Sequence, residues 1–260
     1  MVWLFWKKGQ SEKRFVRYPG LQLHYRKSRS KRFWNAVLSP GDAHMLQRMF
    51  TIATVFALVC SGPVLAGENN SPPEGFTALF NGKNLDGWKA TGNAKVWGAE
   101  NGLLYVKGGG GGWLMTEKEY DDFELMLEFR LPKMGNSGVA LRSPLKGNPA
   151  YAGMEIQVLD DPNWKNLQTW QHTGSIYNVV PAAKVVTKPF GEWNKMHITC
   201  KGKQVKVTVN GTTLVDADLA EYEKEHAKRH PGILRKTGYI GLQSYNYRVD
   251  FRNIFVKELD

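Results

Sequence analysis

The chain has 260 residues, 42% hydrophobic and 23% charged, with 27 Gly, 9 Trp and 2 Cys. That suits one globular domain of ordinary size with extensions, and it excludes collagen-like, coiled-coil, disordered and multi-span membrane classes. The formal net charge of +11 is concentrated at one end: residues 1–66 carry 11 Lys and Arg against two acids, and the remaining 194 carry 24 against 22. The folded part therefore lacks the dense cationic face that a nucleic-acid partner needs.

Residues 1–44 are rich in Arg, Lys and Trp without periodicity. They read as a preface upstream of the true start, Met45 or Met49, with a basic functional arm as the alternative. Residues 45–66 have the layout of an export signal. Arg48 supplies the positive start, Phe50 to Val59 the apolar stretch, and Val64-Leu65-Ala66 the small residues that place cleavage after Ala66. Such a protein is exported, periplasmic or extracellular, with no stable membrane insertion after cleavage. The alternative is a buried or anchoring helix. Beyond the signal only Cys200 remains, so no internal disulfide is expected, and its alternation with Met196 and Ile198 marks it as a core residue.

Residues 67–74 form a polar linker containing Pro72-Pro73, and ordered sequence begins at Gly75-Phe76. From there the apolar period is two. Phe123, Leu125, Leu127, Phe129 and Leu131 alternate with Glu124, Met126, Glu128 and Arg130, predicting a nine-residue strand with one apolar face. Glu124 and Glu128 read as solvated. Asn101-Gly102 and Asn210-Gly211 predict hairpin turns, because both positions of such turns need positive φ. The five glycines Gly108–Gly112 lack a nucleotide-loop ending, and read as a flexible turn or as an edge approached by a ligand.

Gly135 to Arg142 predicts a turn into a strand with Val139 and Leu141 toward the core and Gly138, Ala140 and Arg142 on the opposite face. In Gly153 to Asp160, Met154, Ile156 and Val158 form the core set, which leaves Glu155 and Gln157 together on the other face. A mid-strand Glu is costly unless solvated or paired, and Arg142 is its expected partner. Asp160 joins that face only through a bulge after Val158. The polar loop with Trp164, Trp170, Gln171 and His172, leading to Tyr177, carries the aromatics and amides of a sugar site.

Leu219 to His230 predicts one surface helix, N-capped by Asp218 and closed by Pro231-Gly232. His226 and His230 at i, i+4 lack a third metal ligand nearby. The last strand slips phase between Phe251 and Ile254, which predicts a bulge near Asn253. Ten or more strands, short turns and one small helix indicate an all-β sandwich or barrel.

Nine ordered blocks, among them GFTALFNGKNLDGWK, GNSGVALR, YAGMEIQVLDD, TGSIYNVV, VNGTTLVDADL and TGYIGLQ, resemble the signature blocks of the 3-keto-disaccharide hydrolase domain family, covering Gly75 to Leu259. The resemblance implies a concanavalin A-like jelly-roll sandwich of two antiparallel sheets, a carbohydrate substrate and cleavage of oxidised glycosides. No cofactor is evident in the sequence, and a divalent metal is compatible with the chemistry. Glu155, Gln157 and Asp160 also match the spacing of a laminarinase-type Glu-x-Asp-x-x-Glu motif, with Gln and Asp replacing its last two carboxylates.

A ketone at C3 acidifies the C2 proton. A base removes it, an enolate stabiliser holds the charge, the C1 substituent leaves, and water adds. On the resemblance, Glu155 is the base, Arg142 or a metal the stabiliser, and Asp160 or His172 the acid. Asn136, Ser137, Gln157, Tyr177, Trp113 and Gln243 bind substrate. The alternatives are a non-catalytic carbohydrate-binding module and a two-carboxylate glycanase.

Overall fold

The computed structural model describes residues 70–260, together with a two-stranded antiparallel ladder earlier in the chain, β1 (Gln22–Lys27) against β2 (Arg32–Val37). The expected export segment and its cleavage point lie outside the described residues. The chain divides into two units, Met1–Ala66 and Gly67–Asp260, and the second carries all that follows.

That unit is a sandwich of two antiparallel sheets. One has five strands in the order β10 (Met154–Leu159), β9 (Asn136–Ser143), β14 (Gly238–Gln243), β7 (Gly112–Tyr120) and β4 (Trp88–Gly92). The other runs β13 (Thr212–Asp218), β12 (Gln204–Val209), β11 (Trp193–Lys201), β8 (Phe123–Arg130), β15 (Val249–Glu258), β6 (Leu103–Val106) and β5 (Trp97–Glu100). Its eighth strand, β3 (Thr77–Ala78), pairs with β15.

The period-two pattern makes these strands because alternate side chains leave opposite faces. Leu125, Leu127 and Phe129 of β8, Val205, Val207 and Val209 of β12 and Met154, Ile156 and Val158 of β10 all enter one core between the sheets. Cys200 joins them, and burial pushes its thiol up to about 11, so it stays an inert core thiol.

The turns follow the sequence. Asn101 and Gly102 have φ of 52° and 76°, and Asn210 and Gly211 have 50° and 79°, which are the positive values their hairpins require. Asn253 has φ 52° where the register of β15 shifts between Arg252 and Phe255, so the expected bulge is present.

The single helix expected over Leu219 to His230 is instead a 3-10 turn, Leu219–Tyr222, running into one turn of α-helix, Glu223–His226. Asp218 caps it by accepting from Ala220 N at 2.9 Å. A charged sequence with no continuous apolar stripe has little to hold a longer helix together. A short helix α1 (Pro149–Ala152), unexpected from the pattern, precedes β10; Asn148 caps it and Pro149 starts it. Among the described residues no helix is long and apolar enough to cross a membrane.

Candidate active site

Because Ile156 and its neighbours fill the core, Glu155 and Gln157 project from the outer face of the five-stranded sheet. Directly opposite them on β9 stand Ala140 and Gly138, and opposite Ala140 on β14 stands Gly241. Nothing larger than a methyl group flanks Glu155 across the sheet. A Cβ built on Gly138 would fall on the Glu155 Oε1 atom, so the glycine is what leaves the carboxyl room. On its other side β10 is extended by the segment around Ile176: Tyr177 N donates to Glu155 O at 2.8 Å and Gln157 N to Ser175 O at 3.0 Å.

The loops around this face enclose a cavity of about 230 Å³. Glu155, Gln157, Asn136 and Gln243 come to it from the strands, Tyr151 from α1, and Tyr177, Trp164, Gln171 and Tyr245 from the loops. Glu155 is 3% exposed. Among the described residues no side chain hydrogen-bonds to its carboxyl or pairs with it. Burial without compensation pushes its pKa up to about 8. Asn136 Oδ1 and Trp164 Nε1 are buried without partners, and a bound polar molecule would satisfy both. Gln157 Oε1 accepts from Val158 N at 2.9 Å, which leaves its amide hydrogens for the cavity. Burial first, then the neighbouring Tyr151 and Glu155, raise the Tyr177 phenol, against a lowering hydrogen bond with Gln171.

Asn136, Glu155, Gln157, Tyr177 and Gln243 are thus brought to one cavity, and five other expected site residues stand elsewhere. Arg142 does not reach Glu155. Its φ of 46° rotates it out of the strand alternation, and its guanidinium, 1% exposed, closes the end of the sandwich. There it donates to Asp121 O at 2.8 Å, Gly202 O at 2.6 Å and Asp122 Oδ1 at 2.7 Å. Asp160 is buried, accepting from Met134 N at 2.8 Å and Asn163 Nδ2 at 3.1 Å, and so fastens the turn before β9. No bulge turns it toward Glu155: the β9–β10 register runs without a shift through Leu159.

His172 Nδ1 lies 3.0 Å from Asp161 Oδ1, and Asp161 also accepts from Thr173 N and Thr187 Oγ1. That pair braces the loop and does not line the cavity. Ser137 turns inward and donates to Gln243 O at 2.8 Å. Trp113 packs on the outer face with Met115 and Ala140 beside the cavity. Among the described residues no group of three or more His, Cys, Asp or Glu is gathered that could hold a metal ion.

Several residues escaped the sequence reading. Tyr151 on α1, Asn148 before it and Tyr245 after β14 line the cavity, and the aromatic run Tyr245-Asn246-Tyr247 was the available signal. Behind Tyr151 lies His230, 1% exposed, its ring 4.8 Å from the Tyr151 ring and its Nε2 2.9 Å from Asn178 Nδ2. The glycine run is a packed turn: Gly109 N donates to Tyr245 O at 2.6 Å, and a Cβ on Gly108 would meet the Asn246–Tyr247 backbone. Only glycine lets the tyrosine loop sit so close.

Comparison with known proteins agrees with this geometry. Residues 75–257 match the family model described as the 3-keto-alpha-glucoside-1,2-lyase-like domain. A Bacteroides thetaiotaomicron protein named 3-keto-disaccharide hydrolase is 30% identical, over 72% of this chain and 79% of its own. A candidate glycosyl hydrolase of Parabacteroides distasonis superposes with a TM-score of 0.65 at 26% identity, covering 74% of this chain and 100% of that one. A second from the same organism gives 0.61 at 28%, covering 71% and 99%.

Proposed function

The chain belongs to the 3-keto-alpha-glucoside-1,2-lyase-like family, and we propose that it is an exported enzyme cleaving 3-keto-glycosides, 3-keto-disaccharides among them, by elimination across C1–C2 and then hydration. Elimination followed by hydration is net hydrolysis, which reconciles the lyase of the family description with the hydrolase of the Bacteroides relative's name.

The observation that carries the reading is Glu155, among the described residues the one carboxylate lining the cavity, buried and unpaired. A retaining or inverting glycosidase needs two carboxyls flanking the bond, and Asp160 and Asp161 are both engaged elsewhere. Proton abstraction next to a ketone needs only one base, and a carboxyl held near 8 is basic enough to take that proton at working pH. With Arg142 committed to the far end of the sheet, the groups that can hold the enolate oxygen and the sugar hydroxyls include the amides of Asn136 and Gln157 and the unpartnered Trp164 Nε1–H.

The test is to offer the purified protein a 3-keto-disaccharide and its unoxidised parent and to follow sugar release. Cleavage of the keto form alone, lost in Glu155→Gln, is expected. Equal cleavage of the parent would return the two-carboxylate glycanase, and binding without turnover would return the module.

A further inference from the structure

Elimination needs an acid as well as a base, because the departing sugar oxygen leaves as an alkoxide. The three side chains expected to sit near Glu155 and help it, Arg142, Asp160 and His172, do not line the cavity. The cavity's remaining O–H groups are phenols. Tyr151 and Tyr245 stand at the rim, 39% and 41% exposed. Tyr177 is more enclosed, its backbone N–H bonded to Glu155 O at 2.8 Å, and its ring held edge-on by Trp170 at 5.0 Å.

The environment of Tyr177 also leaves its proton available. Gln171 Oε1 is occupied by Gln168 N at 2.9 Å within a capping box. That leaves the Gln171 amide N–H as the end of the side chain able to donate, and Gln171 lines the same cavity as the phenol. Among the described residues no side chain accepts a hydrogen bond from the Tyr177 hydroxyl, so its proton is free for a molecule in the cavity. Resting on the elimination reading, we propose that Tyr177 is the catalytic acid that protonates the leaving group, and the base that activates water in the return step.

The steps balance. Glu155 takes the C2 proton, and the C2–H electron pair forms the enolate with the C3 oxygen. The enolate collapses to a C1=C2 double bond, the C1–O bond breaks with its pair on oxygen, and that oxygen takes the Tyr177 proton. Water then adds at C1, giving its proton to the Tyr177 phenolate, while Glu155 returns its proton to C2. Both residues end as they began, and the net change is one water consumed. Burial raises the phenol's pKa, so it keeps its proton until the alkoxide, a stronger base than phenolate, forms beside it.

Tyr177→Phe removes the hydroxyl and keeps the ring, so its melting temperature serves as a control for folding. Three readouts are compared in the wild type, Tyr177→Phe and Glu155→Gln: cleavage of a 3-keto-disaccharide, cleavage of the 3-keto-glucoside of nitrophenol, and exchange of the C2 proton in heavy water.

Tyr177→Phe is expected to lose about 10²–10³-fold on the disaccharide and less than about tenfold on the nitrophenyl compound, whose leaving group needs no proton. C2 exchange should persist in that variant and vanish in Glu155→Gln. Equal losses on both substrates, or none on the disaccharide, would overturn the role of Tyr177 while leaving Glu155 as base. C2 exchange surviving in Glu155→Gln, or a wild type inert toward keto sugars, would remove the elimination reading and this proposal with it.

Discussion

Two glutamates occupy equivalent positions on opposite outer faces of the sandwich. Glu155 and Glu128 each sit within a strand whose neighbouring residues feed the core, and both are largely buried, at 3% and 9% exposure. Glu128 has Lys195 opposite it on β11 and Arg252 opposite it on β15. Arg252 grips it through Nε and a terminal nitrogen, each at 2.8 Å, and stacks its own guanidinium on Trp193 at 4.1 Å. Glu155 has Ala140 opposite it and, among the described residues, no cation paired with it. Alternation puts both carboxyls on an outer face, and the cross-strand neighbour then decides which becomes part of the scaffold and which stays reactive.

The comparison breaks most sharply on activity. Glu155→Gln should cost about 10³-fold or more in kcat/KM on a 3-keto-disaccharide, whereas Glu128→Gln should stay within about threefold, since that carboxyl supports only the sheet. Comparable losses would mean that Glu155 too is scaffold. Stability should move the other way. Glu128→Gln trades a charged hydrogen-bonded pair for a neutral one and should cost about 1–3 kcal/mol.

Glu155→Gln should stabilise, with a pH signature whose sign follows from the raised pKa. Below about pH 4.5 the carboxyl is protonated in both folded and unfolded chains, and the substitution changes little. Between 4.5 and about 8 only the unfolded chain ionises, so the wild type loses stability progressively as pH rises. The variant should therefore melt higher than the wild type at pH 8, with the gap closing toward pH 4.5. A pH-independent gap would mean that Glu155 is not held protonated by burial. The same group predicts that wild-type kcat/KM climbs with pH until about 8, as the free base accumulates.

Gly138→Ala sharpens the comparison by giving Glu155 a neighbour. The backbone there is ordinary for a strand, and the nearest atoms to the new methyl would be those of the Glu155 side chain from Cγ to Oε1. The carboxyl should shift while the sheet stays. A displacement of that size costs about 10–10²-fold in kcat, with stability changed by no more than about 1 kcal/mol. Unchanged turnover would show that the carboxyl has room to spare.

The parts of this contrast that were legible in the sequence are the local ones. Alternation in Gly153–Asp160 puts Glu155 and Gln157 on one face, and Asn-Gly pairs and a phase slip mark turns and a bulge, because strand period and positive φ are written in neighbouring residues. Arg142 misleads for the complementary reason: one left-handed residue rotates its side chain away from the expected face, and nothing about arginine signals that conformation. Tyr151 and Tyr245 reach the cavity only because α1 and the loop after β14 close over the sheet, a long-range approach to which no periodicity points. The pairing of Glu128 was hidden likewise. Its cations lie on β11 and β15, and strand order cannot be read from alternation.

His230, expected on a surface helix, is instead 1% exposed, and it supplies the smallest expected effect on catalysis. Burial lowers its pKa, so the ring is neutral and its Nε2 accepts from Asn178. One imidazole thereby touches two of the three elements carrying the cavity tyrosines: it stacks on Tyr151 and holds the residue next to Tyr177. His230→Ala should raise KM about three- to tenfold with kcat within about threefold, because it loosens walls and leaves the reacting groups in place. The matched control lies on the other face, where His197 pairs with Glu124 at 2.9 Å and touches no part of the cavity. His197→Ala should leave KM unchanged. A rise in KM for both would reduce the effect to general loosening of the sandwich, and a fall in kcat for His230→Ala alone would move that histidine from the wall of the site into its chemistry.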